Sequence, residues 1–242
     1  MNVIGQTHIG LVRENNQDAL EYGSLDTTAR YAVVCDGMGG ANGGNIASKI
    51  AVEVIGSRMR DGFHPEMNNN SVEHLLASAM ATANTGVYDR AQQQPELAGM
   101  GTTVVAVLIS DQVAHISHVG DSRLYLLRNG ALSQVTRDHS VVQDLIESGQ
   151  ITEEEAKSHP RKHFITRALG VRSEESGEYD ELALQSGDRL LLCTDGLTNE
   201  VSTQLIQQLM AAPADEALER LVRAALDGGG ADNITVVLMD ID

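Results

Sequence analysis

The chain has 242 residues, 42% of them apolar, which is enough for one substantial core. Its 17 basic residues face 34 acidic ones, a net charge of −17 that argues against nucleic acid or an anionic membrane as partner. The opening MNVIGQTHIG has no basic stretch followed by an apolar one, and no run approaches the ~18 apolar residues of a membrane helix; we therefore expect a monomeric, cytoplasmic protein whose single domain spans 1–242.

In chain order, the first strong signal is YAVVCDGMGG (31–40), an apolar run read as a buried strand and followed by a glycine-rich turn. Apolar positions Ile46, Ile50, Val54, Ile55 and Met59 then recur at helical spacing, and the polar stretch DGFHPEMNNN ends that helix. Asn70, with Glu73 three residues on, predicts the start of a second helix with Val72, Leu75, Leu76, Ala79, Met80, Ala83 and Val87 on one face. Strands follow in series at Thr102–Ile109, Ala114–Val119 and Arg123–Arg128, the last closed by Asn129-Gly130, a hairpin dipeptide. From about Val141 to Glu181 the chain is polar, with short helical patches at Val142–Ile146 and Glu153–Ala156, and reads as a surface flap. A strand at Leu190–Cys193, helices near Thr203–Met210 and Asp215–Leu226, and a strand at Ile234–Leu238 complete the pattern. Strands grouped with strands and helices with helices indicate an antiparallel α+β fold, not an alternating parallel one.

Carboxylates mark the ends of these apolar runs. Asp36 and Asp195 follow strands and precede glycine, Asp232 stands just before the last strand, and Asp121 follows AHISHVG in the same way. A single Asp-Gly pair needs no more than a turn. Several such carboxylates gathered at neighbouring strand ends would repel one another unless cations neutralise them, and an all-oxygen set suits Mg²⁺ or Mn²⁺ rather than zinc. Cys35 and Cys193 lie inside the same strands with no CxxC or Cys/His pattern, as expected of reduced packing residues. His115 and His118 are three apart on a strand and face opposite sides; Pro160 separates His159 from His163. All four are read as structural or exposed.

The segments RENNQD (13–18), VVCDGMGG (33–40), GMGTT (99–103), HVGDSR (118–123), TRDHS (136–140), GDRLLLCTDGL (187–197) and GGADNITVV (229–237) together resemble, in order and over nearly the whole chain, the bacterial metal-dependent protein phosphatases of the 2C type. The resemblance implies a four-layer αββα sandwich of two antiparallel sheets flanked by helix pairs, with a flap over about 141–181. It implies that Asp36 bridges two metal ions, that the Gly37 carbonyl ligates one, and that Asp195 and Asp232 hold the other. Asp18 and Asn233 match positions behind the ligands, Asp121 with Asp195 matches a weaker third site, and Arg13 matches a phosphate-gripping arginine. The implied activity is hydrolysis of phosphoserine and phosphothreonine in proteins by a hydroxide bridging two Mn²⁺ or Mg²⁺ ions. The implied partners are phosphorylated proteins, among them a bacterial Ser/Thr kinase and its signalling or secretion-system substrates.

One position departs from the eukaryotic pattern, which has a histidine where this chain has Met38, with Ala41 in the following turn. That points to a metal-bound water as proton donor to the leaving oxygen, with His139 the second candidate. A nucleotide-binding reading of the glycines fails, because Asn42 stands where a dinucleotide fingerprint needs glycine and Asn45 where a P-loop needs lysine. A non-catalytic phosphoprotein-binding scaffold on the same fold is the competing function; the presence of Asp36, Asp195 and Asp232 favours the enzyme.

Overall fold

A computed structural model describes the chain apart from Ala41 and Asn42, so the turn alanine noted beside Met38 lies outside the described residues. Strands β1 (Asn2–His8), β2 (Asp18–Ser24) and β3 (Arg30–Met38) lead into helices α1 (Gly40–Gly62) and α2 (Asn69–Gln93). Then come β4 (Gly101–Thr102), β5 (Val104–Ser110), β6 (Val113–Val119), β7 (Arg123–Arg128) and β8 (Ala131–Gln134). Short helices α3 (Val141–Glu147) and α4 (Glu153–Lys157) precede β9 (Glu178–Ala183) and β10 (Arg189–Cys193). Helices α5 (Asp195–Thr198), α6 (Thr203–Met210) and α7 (Ala214–Asp227) and strand β11 (Ile234–Asp240) end the chain.

Among the described residues the strands form two antiparallel sheets. One runs β1-β11-β10-β7-β8; the other runs β2-β3-β5-β6-β9, with β4 added on β3. Their apolar runs are continuous because both faces of each central strand are covered. In β3, Ala32 and Val34 point between the sheets, while Val33 and Cys35 meet α1 and α2. In β10, Leu190 and Leu192 point inward and Leu191 and Cys193 meet the α5–α7 layer. Period-2 alternation thus separates two apolar faces rather than an apolar from a polar one, and the layers stack as αββα.

The expected helices and strands are present, with adjustments. The buried stripe of α1 is Ala47, Ala51, Val52, Ile55 and Met59; Ile46, Ile50 and Val54 flank it, half-buried. Helix α2 is capped by Asn68, whose side chain accepts from the Ser71 amide, two residues before the predicted cap. The strand expected over Thr102–Ile109 is split at Thr103. Asn129 and Gly130 both adopt positive φ, 52° and 77°, which closes the β7–β8 hairpin as its dipeptide predicts. Strands β1, β2 and β9 have no counterpart in the sequence reading, and β9 begins at Glu178, inside the stretch expected as a flap, because its backbone pairs with β6.

Candidate metal centre

The acidic strand ends converge where the two sheets meet. Asp36 lies in β3 with two strand residues still to follow, and Asp18, the first residue of β2, is its cross-strand partner. Asp195 opens α5 directly after β10, rather than ending the strand, and Asp232 lies two residues before β11, the neighbour of β10. Asp121 sits between β6 and β7.

These carboxyls lie in one another's field. Burial first, then the charges of Asp18, Asp195, Asp121 and Asp232, push Asp36 well above the ordinary carboxylate range. Asp18 is pushed up to about 7, chiefly by burial, against two hydroxyl bonds that hold it down. Asp121 also reaches about 7, through burial and then Asp195 and Asp138. Asp195 is raised by burial and by Asp232; close approach of Asp36, a bond from Asn199 and the charge of His163 pull the other way. His163, exposed in the polar segment between β8 and β9, is therefore within electrostatic reach of the cluster.

Two buried carboxylate oxygens, Asp18 Oδ1 and Asp195 Oδ1, have no hydrogen-bond partner among the described residues. The other oxygens of the same groups are satisfied: Asp18 Oδ2 accepts from Thr194 Oγ1 at 2.9 Å and Thr235 Oγ1 at 2.6 Å, and Asp195 Oδ2 from Asn199 Nδ2 at 2.9 Å. Unpartnered buried anionic oxygens are costly. A hard divalent cation, which takes oxygen ligands, satisfies them and reverses the mutual repulsion.

The backbone around Asp36 is clamped by the GMGTT segment. Thr103 Oγ1 accepts from the Asp36 amide at 3.0 Å, the Thr103 amide donates to the Asp36 carbonyl at 2.9 Å, and Thr102 Oγ1 donates to that carbonyl at 2.9 Å. The adjoining Gly37 is obligatory, since a Cβ there would lie 2.0 Å from the Gly44 carbonyl oxygen at the start of α1. The bare backbones of β3 and α1 thus touch beside the Gly37 carbonyl. Asn233 acts on the β1–β2 loop: its Nδ2 donates to the carbonyls of Ile9 (2.8 Å) and Asn15 (3.1 Å), and its Oδ1 accepts from the Gln17 amide (2.7 Å). That loop carries Arg13, whose Nη2 donates to Asp232 Oδ2 at 2.7 Å from an exposed position. Bonding to Asp232 and the nearby charges of Asp36 and Asp195 raise its pKa further, so the guanidinium stays charged beside the cluster.

A sequence model described as protein phosphatase 2C matches residues 4–232 of the chain. The chain belongs to the protein phosphatase 2C family. Serine/threonine protein phosphatase PstP of Mycobacterium tuberculosis is 40% identical over 234 residues, 96% of this chain but 43% of PstP, so the chain spans less than half the length of that relative. Protein phosphatase PhpP of Streptococcus pneumoniae is 37% identical across 98% of this chain and 96% of its own length. The crystal structure of the PstP catalytic domain in complex with two manganese ions superposes with a TM-score of 0.88 at 36% identity, covering 100% of this chain and 98% of that one. The antiparallel αββα layering is thus the architecture of solved family members.

Within this 2C-type fold the structure brings together Asp18, Asp36, Asp121, Asp195, Asp232 and Arg13, all marked in the sequence. It removes His139 as a candidate proton donor: the residue is 3% exposed and both its ring nitrogens are engaged within the protein. The clamp by Thr102 and Thr103 was missed. Its only signal was the presence of GMGTT among the motifs, since hydroxyl-to-backbone bonds between strands leave no periodicity.

Proposed function

We propose that the chain is a metal-dependent phosphatase acting on phosphoserine and phosphothreonine in proteins. Asp36 and the Gly37 carbonyl, with Asp195 and Asp232, hold two divalent cations, Mn²⁺ or Mg²⁺, and Asp121 with Asp195 holds a weaker third. The observation that carries this reading is the unpartnered buried oxygen of Asp195, inside a cluster in which burial and mutual charge raise Asp36, Asp121 and Asp18. When bound, such a pair of ions activates water near neutral pH and screens the phosphoryl oxygens.

The protein's own groups do the rest. Thr102 and Thr103 fix the Asp36 backbone, and Asn233 fixes the loop that presents Arg13. Arg13 keeps N–H donors beyond its bond to Asp232, in the planar fork that suits two phosphoryl oxygens. A thiolate mechanism finds no support: Cys35 and Cys193 are fully buried, and burial pushes Cys35 well above the ordinary thiol range and Cys193 up to about 12. Met38 has no proton to give to the leaving oxygen, and that of His139 is bonded inside the fold.

Residues 1–242 act as one catalytic domain, monomeric and cytoplasmic, opposing a Ser/Thr kinase; no helix among the described residues is long and apolar enough to cross a membrane. The part of residues 141–181 that precedes β9, which begins at Glu178, acts as a flap that selects the phosphoprotein. Arg161, Lys162 and His163 form an exposed basic edge there, in a chain of net charge −17, and attract acidic flanks around the phosphorylated residue. Turnover of phosphoserine and phosphothreonine peptides with Mn²⁺, its loss in EDTA and its return on adding Mn²⁺ back are the expected results. Binding of phosphopeptides without any turnover would instead support the scaffold reading.

A further inference from the structure

His118, His139 and Glu178 form a cluster beside the centre that the proposed reaction does not use, with candidate ligand atoms all within 4.8 Å of one another. It is not built for a metal. The two imidazoles are stacked, centroids 4.8 Å apart and planes 12° from parallel, so their in-plane lone pairs cannot converge on one ion. The cation there is already the Arg167 guanidinium, with Nη1 3.2 Å from His139 Nε2 and 3.9 Å from a Glu178 carboxylate oxygen.

The hydrogen bonds fix the place of the His139 ring. The Gly120 amide donates to His139 Nδ1 at 3.1 Å. An accepting Nδ1 carries no proton, and on the other side of the ring Nε2 is held between Glu178 Oε2 at 3.0 Å, which can only accept, and Arg167 Nη1 at 3.2 Å, which can only donate. The His139 amide in turn donates to the Gly120 carbonyl at 2.9 Å, so this one residue engages both backbone polar groups of Gly120. Gly120 needs such holding, because its φ is +103° and a Cβ there would lie 2.6 Å from Thr103. The next residue is Asp121. On its far side, Ser122 Oγ bonds Thr103 Oγ1 at 2.7 Å, the same hydroxyl that accepts from the Asp36 amide.

We propose that His139 is a positioning residue for Asp121: oriented by Glu178, it locks the Gly120–Asp121 turn so that the Asp121 carboxylate faces the weaker cation. The proposal rests on the reading of Asp121 as a ligand of that cation. Because the His139 carbonyl also accepts from the Thr166 amide at 2.8 Å, the lock joins the segment between β8 and β9 to the weaker site.

Three measurements test it. In the metal-free wild type, long-range ¹H–¹⁵N spectra of the imidazole should show His139 bare at Nδ1; a proton on Nδ1 overturns the proposal. In Mn²⁺ titrations followed by calorimetry, His139→Gln, which loses the acceptor at the Nδ1 position, should weaken the weakest class of site by about 10- to 100-fold, the usual effect of losing a partner behind a ligand. His139→Asn, whose Oδ1 overlies Nδ1 but which cannot reach Glu178, should weaken it clearly less than His139→Gln does, and the tighter sites should be unchanged in both. Glu178→Ala, at a half-exposed side chain, should weaken the same class without lowering Tm, and it decides the matter if the His139 variants do not fold. Equal weakening in His139→Asn and His139→Gln, or unchanged binding in Glu178→Ala, refutes the lock. A wild type with two tight sites and no weak class overturns this proposal and leaves the two-cation reading standing, whereas a wild type that binds no Mn²⁺ defeats both.

Discussion

Replacing Asp18 by asparagine should stabilise the metal-free protein at alkaline pH, although it alters a buried residue next to the proposed metal ligands. In the fold this carboxyl is 6% exposed and titrates at about 7 rather than at its ordinary 3.8. For an acid, a raised folded pKa means that the native state resists losing the proton. The penalty is absent below the unfolded pKa, grows between pH 4 and 7, and is complete above the folded pKa. A shift of about 3 units corresponds to roughly 4 kcal/mol at pH 8. Asparagine can keep the bonds from Thr194 and Thr235 through its Oδ1 while removing the charge and turning an amide N–H₂ towards the position of the unpartnered oxygen. At about 2–4 °C per kcal/mol for a chain of this size, the variant should melt roughly 5–15 °C higher than wild type in EDTA at pH 8. At pH 5 the advantage should fall to less than half, because the folded wild-type carboxyl is then neutral. With saturating Mn²⁺ the order should reverse, since the wild-type carboxylate adds to the field holding the ions and ligand binding stabilises the native state. Melting scans at the two pH values with EDTA and with Mn²⁺ test this. An Asp18→Asn protein less stable than wild type in EDTA at pH 8, or a gap independent of pH, refutes the account of the cluster as charges held apart only at a cost.

Asp36→Asn should reduce kcat on phosphopeptides by orders of magnitude while leaving the far-UV circular dichroism unchanged; more than about a tenth of wild-type kcat would contradict its place at the centre. Arg13→Ala should cost about 10- to 150-fold in kcat/KM, chiefly through KM, and weaken inhibition by inorganic phosphate; a collapse of kcat at constant KM would assign Arg13 to the transition state instead. Arg161→Ala with Lys162→Ala should slow phosphoprotein turnover in a salt-dependent way yet spare p-nitrophenyl phosphate; equal losses on both substrates would place the flap in the chemistry. Asp121→Ala should shift the Mn²⁺ activation curve to higher concentration with two ions still bound, and an unchanged curve would leave Asp121 as a turn residue.

The apolar runs around Asp36 and Asp195 could be read because their strands are covered on both faces, so composition alone marks them. The amphipathic α6 and α7 were legible for a different reason: they are covered on one face only, so their buried Ile206, Met210, Leu218 and Leu221 recur at helical spacing. Asn129-Gly130 was legible because few other dipeptides tolerate two successive positive φ values. Strands β1 and β2 were not. They lie at sheet edges, half-buried and mixed in polarity, and their backbone partners supply the stabilisation that side-chain pattern would otherwise advertise. What chain order left open is distance. Antiparallel pairing sets Asp18 opposite Asp36, a hydroxyl chain links Asp36 to Ser122, Asn233 staples a loop more than two hundred residues away, and His139 closes on Gly120. Each of these depends on strand register or on which loops the packed layers bring together, so the sequence by itself supplied the chemical groups of the centre, and only the packed sheets decided which oxygens were left for a cation.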